Sequence, residues 1–490
     1  MVNMTQYFLT LLLVLFAITG TANTDPVEIG TTKQLFLDDY IVAAADGVFP
    51  VLNQPVKDPG NPLISPPAAL AENPELVHLG GSVIYDQEEN LFKMWYEANN
   101  ATRTHAAMAY ATSTDGINWD MPCFHKISYP EWTMPGCSEG ENNFLFGGKV
   151  DNSYAELVVS VFKDNHETDP SRRYKMVYRN DDVGAGTGSV WAAFSPDGIN
   201  WSGETGPIIL DADSFHSALW DPGLGKYVVH SRFNRNHHAS LPPQRQVLQS
   251  ESDDFVTWRT HGVILKPDEH DPPDTEFYNM EWMPYEDVFV GFISVFHTAT
   301  DKLDVQLAFS RDDRNWVRAG NREVFIPNSP APGAYDNGMI WNVLQHPIVV
   351  GDEIFIYYNG ASGLHGAYWS GDPQGGVIAL AKLRLDGFVS MNTDATGTLT
   401  TKPLAMTGDQ LVINADAKEG SIRVEILDED NLPIAGFSKE DAVPVDKDAI
   451  RQTVRWKQGS DVSPLAGKTI SLRFYLDRSR LFAFQFTPNR

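Results

Sequence analysis

The feature that most constrains the fold is a short phrase, Ser-x-Asp-x-x-x-Trp, that occurs four times in this chain of 490 residues. It stands at residues 113–119, 195–201, 252–258 and 310–316. The last three tryptophans, Trp201, Trp258 and Trp316, are 57 and 58 residues apart. A regular period of this size indicates a repeated structural unit.

Each phrase closes a longer unit of β-rich runs separated by turns, as in "GGSVIYDQEENLFKMWYEANN" at 80–100. Such a unit predicts a four-stranded antiparallel meander. Five units can be read, with Phe388 in the last one standing where the tryptophan stood. Units repeated in this way predict a five-bladed β-propeller over residues 23–392. The Asp and Gly of the phrase favour the hairpin before the fourth strand, and the Trp is expected to pack between blades. The phrase is therefore predicted to be scaffold.

The period changes after about residue 392. Residues 393–490 show short alternating strands and turn signals, which predict a β-sandwich of seven or eight strands. Helical patterns are nearly absent, so the fold class is all-β, a five-bladed β-propeller followed by a β-sandwich. Residues 27–43 are expected to add one or two strands to either unit.

Residues 1–22 resemble a signal peptide, with an apolar run at 8–18 and small residues before a cleavage site after Ala22. The run is too short to cross a bilayer, and no other stretch is long enough. We therefore expect an exported protein, periplasmic or extracellular, without a membrane partner. The net charge of −27 disfavours nucleic acid as a partner.

The two cysteines, Cys123 and Cys137, allow one disulfide in an oxidising compartment or two unpaired thiols, and the sequence leaves both open. No metal site is predicted, since His237 and His238 lack a third ligand at metal spacing. No cofactor is required by the pattern, and a structural calcium ion is left open. The glycine-rich "GAGTGS" at 184–189 has no helix after it, which predicts a hairpin and not a phosphate loop.

Several motifs carry a family resemblance: "LFLDDY" (35–40), "NPLI" (61–64), "FKMWYE" (92–97), "RRYKMVYR" (172–179), "SESDDF" (250–255), "YDNGMIW" (335–341), "LRLDGFVS" (383–390) and "FAFQF" (482–486). With five meanders and a terminal sandwich, the chain resembles the five-bladed propeller glycosidases of families 32, 43, 62, 68, 117 and 130. It is most similar to secreted bacterial family 32-like proteins. The resemblance implies a carbohydrate substrate and hydrolysis of O-glycosyl bonds. The family 32 strings "WMNDPNG", "RDP" and "EC" are absent, so no catalytic residue is carried over.

In a propeller the first strand of each blade lines a central funnel, where polar groups can meet a ligand. Glycoside hydrolysis needs one carboxylic acid and one carboxylate. The candidate carboxylates are Asp213, Glu276 and Asp336, with Glu97 as a fourth, and further polar residues expected there include His216 and Glu281. Our hypothesis makes Glu276 the acid and Asp336 the base or nucleophile.

The candidate substrate-binding residues are His78, Arg179, Arg232, Arg245, Tyr278, Asn279, Trp341 and His365. The three arginines are candidates for binding a carboxylate or sulfate of the sugar, and Tyr278 and Trp341 for stacking on its ring. Structural alternatives stand beside these roles. Glu97 and Arg179 could pair across adjacent blades, Asp213 and Asp336 could cap turns, and the two aromatic rings could belong to the core.

Three other functions remain open. A sialidase-like enzyme would use a Tyr nucleophile with a Glu and three arginines, although sialidases have six blades. A non-catalytic propeller would only bind glycans, and a phosphorylase would need a basic anion pocket beside a single acid. Two funnel carboxyls roughly 5–10 Å apart would favour hydrolysis.

Overall fold

The computed structural model describes residues 25–65, 77–99, 105–127, 136–138, 140–149, 157–180, 188–210, 212–234, 244–369 and 376–488. Strands dominate these residues, and the one α-helix among them is α1 (His365–Trp369). The same described residues contain three single turns of 3-10 helix, at Pro170–Arg172, Gly320–Arg322 and Ser463–Leu465. The all-β prediction is confirmed. Within these described residues, no helix has the length and apolar character needed to cross a membrane.

Five short strands open the described chain, and five antiparallel meanders follow. The opening strands are β1 (Val27–Gly30), β2 (Gln34–Leu35), β3 (Val42–Asp46), β4 (Phe49–Leu52) and β5 (Val56–Lys57). Meander 1 is β6 (Val77–Asp86), β7 (Leu91–Asn99), β8 (His105–Ser113) and β9 (Phe144–Lys149). Meander 2 is β10 (Ser160–Lys163), β11 (Tyr174–Arg179), β12 (Ser189–Ser195) and β13 (Ser202–Leu210). Meander 3 is β14 (His216–Asp221), β15 (Lys226–Asn234), β16 (Arg245–Ser252) and β17 (Trp258–Leu265).

The last two meanders are less regular. Meander 4 is β18 (Thr275–Tyr285), β19 (Val288–His297) and β20 (Lys302–Ser310), with β21 (Val317–Arg318) and β22 (Val324–Ile326) both pairing with β20. Meander 5 is β23 (Met339–Val343), β24 (Ile348–Val350), β25 (Glu353–Ala361) and β26 (Val377–Arg384). Strand β5, from the start of the chain, pairs with β26 and completes the outer edge of meander 5.

The first strands of the meanders contact one another in succession, β6 with β10, β10 with β14, β14 with β18, β18 with β23, and β23 with β6. The contacts therefore close into a ring. At its centre the buried Gln345 follows β23, and its side-chain oxygen accepts hydrogen bonds from Ser82, at 3.4 Å, and from Ser160. Its amide nitrogen donates to the carbonyl of Ala218. One side chain thus links four of the five meanders.

The repeated phrase forms the same turn each time. In the first copy, Oδ1 of Asp115 accepts the backbone N–H groups of Ile117 and Asn118, both at 2.8 Å, and the hydroxyl of Ser113 at 2.9 Å. The residue after each Asp has a positive φ, and Gly116 at +74° meets that requirement without strain. The aspartate satisfies N–H groups that the hairpin leaves unpaired, and the phrase forms the hairpin that the sequence predicted.

Each turn also docks on the meander that precedes it around the ring. Three turns accept a hydrogen bond of 2.7 Å at a backbone carbonyl, Gly116 from Tyr357, Gly198 from Trp95 and Asp313 from Gln249. The remaining turn packs Phe255 against Phe162 of meander 2, with ring centres 5.7 Å apart. The expected packing of the tryptophan between neighbouring units is confirmed for Trp119, whose ring lies 5.8 Å from that of Tyr357. The phrase therefore fastens one meander to the next.

The C-terminal strands form a second hydrophobic core. They are β27 (Val389–Thr401), β28 (Leu404–Met406), β29 (Gln410–Asp416), β30 (Ser421–Leu427), β31 (Asp448–Thr453) and β32 (Thr469–Thr487). The long β32 pairs with β2, β27, β28, β29 and β30, while β1 pairs with β28, and β3 and β4 pair with β27. The core includes Phe36, Leu399, Trp456 and Phe484. The segment 27–43, expected on either unit, thus joins the C-terminal sheet.

The predicted boundary at residues 392 and 393 falls inside β27, and the domain limits stay a prediction. Cys123 and Cys137 form a disulfide bond, which decides between the two alternatives for these residues. The signal peptide at 1–22 and the pair His237 and His238 lie outside the described residues, as do residues 184–187 of the glycine-rich stretch.

The aspartates of these turns should make the free energy of unfolding depend on pH. Burial acts to raise the pKa of Asp312, but hydrogen bonds from the amides of Asn315 and Arg314 outweigh it and lower the pKa to about 2. Because the folded pKa lies below the unfolded value, this stabilisation is present above pH 4 and is lost as the pH falls through about 2. We expect Asp312→Ala to lower the free energy of unfolding by about 1 kcal/mol at pH 7.

Urea denaturation of the wild type and Asp312→Ala, repeated from pH 7 down to pH 2.5, measures this difference. The gap between the two proteins should narrow below pH 4. Asp446→Ala, at an exposed position, is the control and should track the wild type. A gap that stays constant over this pH range would contradict the assigned role.

Candidate functional site

One edge of the ring gathers the starts of first strands, the ends of second strands and the starts of third strands, because neighbouring strands are antiparallel. Arg179 ends β11, Arg232 lies near the end of β15, and Arg245 begins β16. Asp213 precedes β14, and Glu276 is the second residue of β18. These residues and Tyr278 are called the arginine cluster below: Arg179, Asp213, Arg232, Arg245, Glu276 and Tyr278.

Asp213 is the central carboxylate of the cluster. Its Oδ1 lies 2.6 Å from Nη2 of Arg232 and 3.2 Å from Nη1 of Arg179, and its Oδ2 accepts from Asn234 at 2.8 Å. Burial acts to raise the pKa of Asp213, but the charges of Arg232 and Arg179 outweigh it, and the pKa lies well below its usual range. Asp213 is therefore an ionised carboxylate at neutral pH.

Arg232 is almost fully buried and spans the gap between Asp213 and Tyr278. Its Nη2 donates to Ser214 at 2.6 Å, and its guanidinium carbon lies 4.1 Å from the centre of the Tyr278 ring, which is a cation–π contact. Its Nε and Nη1 are buried and have no hydrogen-bond partner in the described part of the chain. Buried donors of this kind are costly to leave unpaired, by about 1–3 kcal/mol each.

Arg245 approaches the same ring from β16. Its guanidinium carbon lies 5.3 Å from the ring centres of both Tyr278 and Phe296, and its Nη1 forms an ion pair with Oε2 of Glu276. Its Nε is buried and has no partner among the described residues. The two arginines thus bring the carboxylates Asp213 and Glu276, from meanders 3 and 4, to the same tyrosine ring.

Tyr278 connects the cluster to a histidine and a further carboxylate. Its hydroxyl lies 3.1 Å from Nε2 of His365, and Nδ1 of His365 lies 3.9 Å from Oδ1 of Asp301. Asp301 was not among the predicted residues, because it sits in the turn between β19 and β20 and only the fold brings it to α1. Its backbone carbonyl also accepts the N–H of His365 at 3.1 Å.

The predicted role of Tyr278 and Trp341 as sugar platforms does not fit their burial. Each side chain is only 1% exposed. The Trp341 ring lies 5.7 Å from Tyr278 and 6.5 Å from Phe215, in an aromatic core below the cluster. A stacking platform needs an exposed ring face, whereas both rings are packed in this core, as the alternative of core residues expected. Asn279 donates to the Trp341 carbonyl at 2.7 Å and fixes this packing.

His216 begins β14 beside the arginines and is fully buried. Burial, and then the charge of Arg179, lower its pKa to about 3, so the ring is neutral at pH 7. Neither ring nitrogen has a hydrogen-bond partner within the described residues. His216 therefore adds a neutral donor or acceptor to the same region.

Glu97 has a structural role at the end of β7. Its buried Oε2 accepts the backbone N–H of Leu157 at 3.0 Å and that of Val158. The carbonyl of Leu157 in turn accepts the N–H of Arg179 at 2.7 Å. Glu97 thereby holds the chain entering β10 against the edge where Arg179 lies.

The structure does not bring Asp336 into the arginine cluster. Its fully buried carboxylate forms an ion pair with Lys57 at 2.6 Å and accepts from the hydroxyl of Tyr358 at 3.0 Å and the N–H of Ser329 at 3.3 Å. All of these contacts lie between β5, β25 and the loop before β23. The predicted pairing of Asp336 with Glu276 is therefore not supported, and Asp336 holds the outer part of meander 5. The side chain of His78 lies outside the described residues.

The described residues meet the geometry of a metal-binding group only at the exposed Asp268, Glu269 and His270. These residues precede β18, and Asp268 accepts hydrogen bonds from Arg322.

No family model matches the sequence, and no match is found among curated proteins. Among solved structures, one glycoside hydrolase is 16% identical over 68% of this chain and 92% of its own, with a TM-score of 0.47. A thermostable family-43 glycoside hydrolase is 14% identical over 64% of this chain and 93% of its own, with a TM-score of 0.43. A third structure comes from a study of the GH130 family of mannoside phosphorylases, which contains glycoside hydrolases that target β-1,2-mannosidic linkages in Candida mannan. It is 14% identical over 68% of this chain and 94% of its own, with a TM-score of 0.42. The chain is similar to these structures.

Glu281 lies deeper along β18 than Glu276, by about 16 Å at the usual rise per residue. It is buried, and burial raises its pKa to about 8, although the Ser217 hydroxyl acts to lower it. Glu281 is thus a neutral carboxylic acid at pH 7. Because the folded state holds this proton more tightly than the unfolded state, wild-type stability should fall as the pH rises from about 4.5 to about 8.

Glu281→Gln replaces the neutral carboxylic acid with an uncharged amide of nearly the same shape, which does not titrate. We therefore expect the variant to gain stability relative to the wild type between pH 5 and pH 8.5, by about 1.4 kcal/mol for each unit of pKa shift that the change removes. Chemical denaturation of both proteins across this range measures the difference. Parallel curves for the two proteins would show that Glu281 is ionised when folded.

Proposed function

We propose that the protein is an exported enzyme that hydrolyses the glycosidic bonds of a poly- or oligosaccharide at the arginine cluster. The observation that carries this proposal is the pair Asp213 and Glu276, which two arginines hold at the ring of Tyr278. Export is supported by the apolar, uncharged run at residues 8–18 and the small residues up to Ala22.

The proposed scaffold is a five-bladed propeller followed by a β-sandwich. The closed succession of contacts among β6, β10, β14, β18 and β23 supports the five blades. The second core, which β27–β32 share with β1–β4, supports the sandwich. A funnel mouth is a position where groups from several blades reach one ligand.

The two carboxylates have different surroundings, as hydrolysis requires. Asp213 is held ionised by Arg232 and Arg179 and would stabilise the positive charge that develops on the sugar ring in the transition state. Glu276 lies at the outer edge, with Oε2 on Arg245, and would protonate the leaving oxygen through Oε1. Asp213 thus takes the place that the sequence had given to Asp336.

The test is release of reducing ends from a panel of plant and algal glycans by the mature protein. We expect Glu276→Gln and Asp213→Asn to lower kcat by at least 100-fold, since each removes one of the two carboxylates. Glu251→Gln is the matched control, because it breaks a glutamate–arginine pair, with Arg314, outside the cluster. It should retain wild-type kcat.

Folding of each variant is checked by its melting temperature and circular dichroism. If folded Glu276→Gln is as active as the wild type, Glu276 is not the acid that protonates the leaving oxygen. Absence of activity from the folded wild type on every glycan would favour the non-catalytic glycan-binding propeller.

A second candidate is a sialidase-like enzyme with Tyr278 as nucleophile, and one arrangement favours it. The Tyr278 hydroxyl bonds His365, which approaches Asp301, and two guanidiniums lie over the ring. Tyr278→Phe removes only the hydroxyl. If this variant retains the wild-type kcat, the tyrosine mechanism is excluded. If the variant loses activity and a glycosyl-tyrosine can be trapped in the wild type, the tyrosine mechanism replaces the carboxylate mechanism.

A further inference from the structure

We infer that the sugar bound at the arginine cluster is acidic, and that its carboxylate binds between Arg232 and Arg245. This inference rests on the proposed function, since it names the substrate class of the same site. It concerns a uronic acid or a related sugar acid, recognised by its charge.

The first support is the set of buried donors that no described residue satisfies. Nε and Nη1 of Arg232 and Nε of Arg245 are all of this kind. Elsewhere, Arg318 also pairs with one carboxylate over an aromatic ring, with Nη2 2.6 Å from Asp271 and the guanidinium 5.2 Å from the centre of the Phe277 ring. The arginine cluster offers cationic donors beyond those that its own carboxylates use, and an anion is the partner that such donors bind best.

The second support is the position of the two guanidiniums on one ring. Arg232 and Arg245 both lie over Tyr278, at 4.1 and 5.3 Å from its centre. The ring covers one face of each guanidinium, so the remaining donors are N–H groups in the guanidinium planes. A planar carboxylate accepts such in-plane donors, and arginine is the usual residue for this recognition. The neutral His216 nearby can add a hydrogen bond to a sugar hydroxyl without changing the charge.

The third support is chemical. Arg245 is already paired with Glu276, the proposed acid. A substrate carboxylate that takes donors from Arg245 competes with Glu276 and loosens that ion pair. Binding of the correct substrate would then leave Glu276 free to hold the proton that the leaving oxygen needs. A neutral sugar could not produce this exchange, so the charge would serve both recognition and catalysis.

The experiment compares acidic sugars with uncharged copies of themselves. The probes are the trimers of galacturonate, glucuronate and mannuronate, each beside its methyl ester, and a sulfated galactose trimer. Binding to the full mature protein is measured by isothermal titration calorimetry, and cleavage is followed in the same samples by chromatography. We expect at least one acidic trimer to bind tenfold or more tightly than its methyl ester.

Arg245→Gln should reduce this preference for the acidic trimer to less than threefold. Arg318→Gln is the matched control, because it also removes a guanidinium that is paired with a carboxylate and packed on a β18 aromatic ring. It should keep the wild-type preference. If Arg245→Gln fails to fold, Arg245→Lys, which keeps the charge and loses the planar donors, should weaken the preference.

The outcomes separate the two proposals. An acidic trimer that binds with the expected preference but is not cut supports this inference and counts against hydrolysis. Cleavage of a neutral glycan, with no preference for any acid over its ester, overturns the inference and leaves hydrolysis standing. Binding of the sulfated trimer alone also overturns it, since the anion would then be a sulfate.

Discussion

The buried amide of Gln345 is the interaction on which the rest of the molecule depends. It bonds to Ser82, Ser160 and Ala218, one residue from the first strand of each of three meanders, while its own strand belongs to a fourth. An amide at such a point must find both its donor and its acceptor partners, because unpaired polar groups in a protein interior are strongly destabilising. This requirement fixes how far each first strand is shifted along its length relative to the others. It therefore also fixes the edge where those strands begin, on which the arginine cluster lies.

The arginine cluster concentrates positive charge in a chain whose net charge is negative. The protein carries a formal charge of −27, yet Arg179, Arg232 and Arg245 all lie at one mouth of the ring. Desolvated charges interact more strongly than exposed ones, so the local arrangement outweighs the distant surface charge. The aromatic rings of Tyr278, Phe215 and Trp341 exclude water from below and keep the effective dielectric low. The net charge of the whole chain therefore does not decide the local electrostatics of the cluster.

The sequence was informative where structure is local. The Ser-x-Asp phrase encodes its own turn, because every bond that defines the turn joins residues within a few positions, and its period predicted the meanders. The predictions failed where partners are remote. The carboxylate of Asp336 forms an ion pair with Lys57, 279 residues earlier in the chain, and the sequence around Asp336 contains no signal that predicts this pair. Asp301 reaches His365 only through the fold, and the burial of Tyr278 and Trp341 depends on three meanders at once. The sequence could place Arg179, Arg232 and Arg245 on the same edge, because each stands near a strand end and the strands of a meander alternate in direction.

The pairing of β5 with β26 has a consequence for how the molecule is made. Lys57 bonds to a strand that lies more than 300 residues further along the chain, as the register of Ala381 with Lys57 shows. During synthesis at about 5–20 residues per second, the first strand of this pair waits on the order of half a minute for its partner. Meander 5 cannot acquire its outer strand, nor β1–β4 their sheet, until translation is nearly finished. A polypeptide with this connectivity therefore cannot complete these sheets before almost all of the chain has been made.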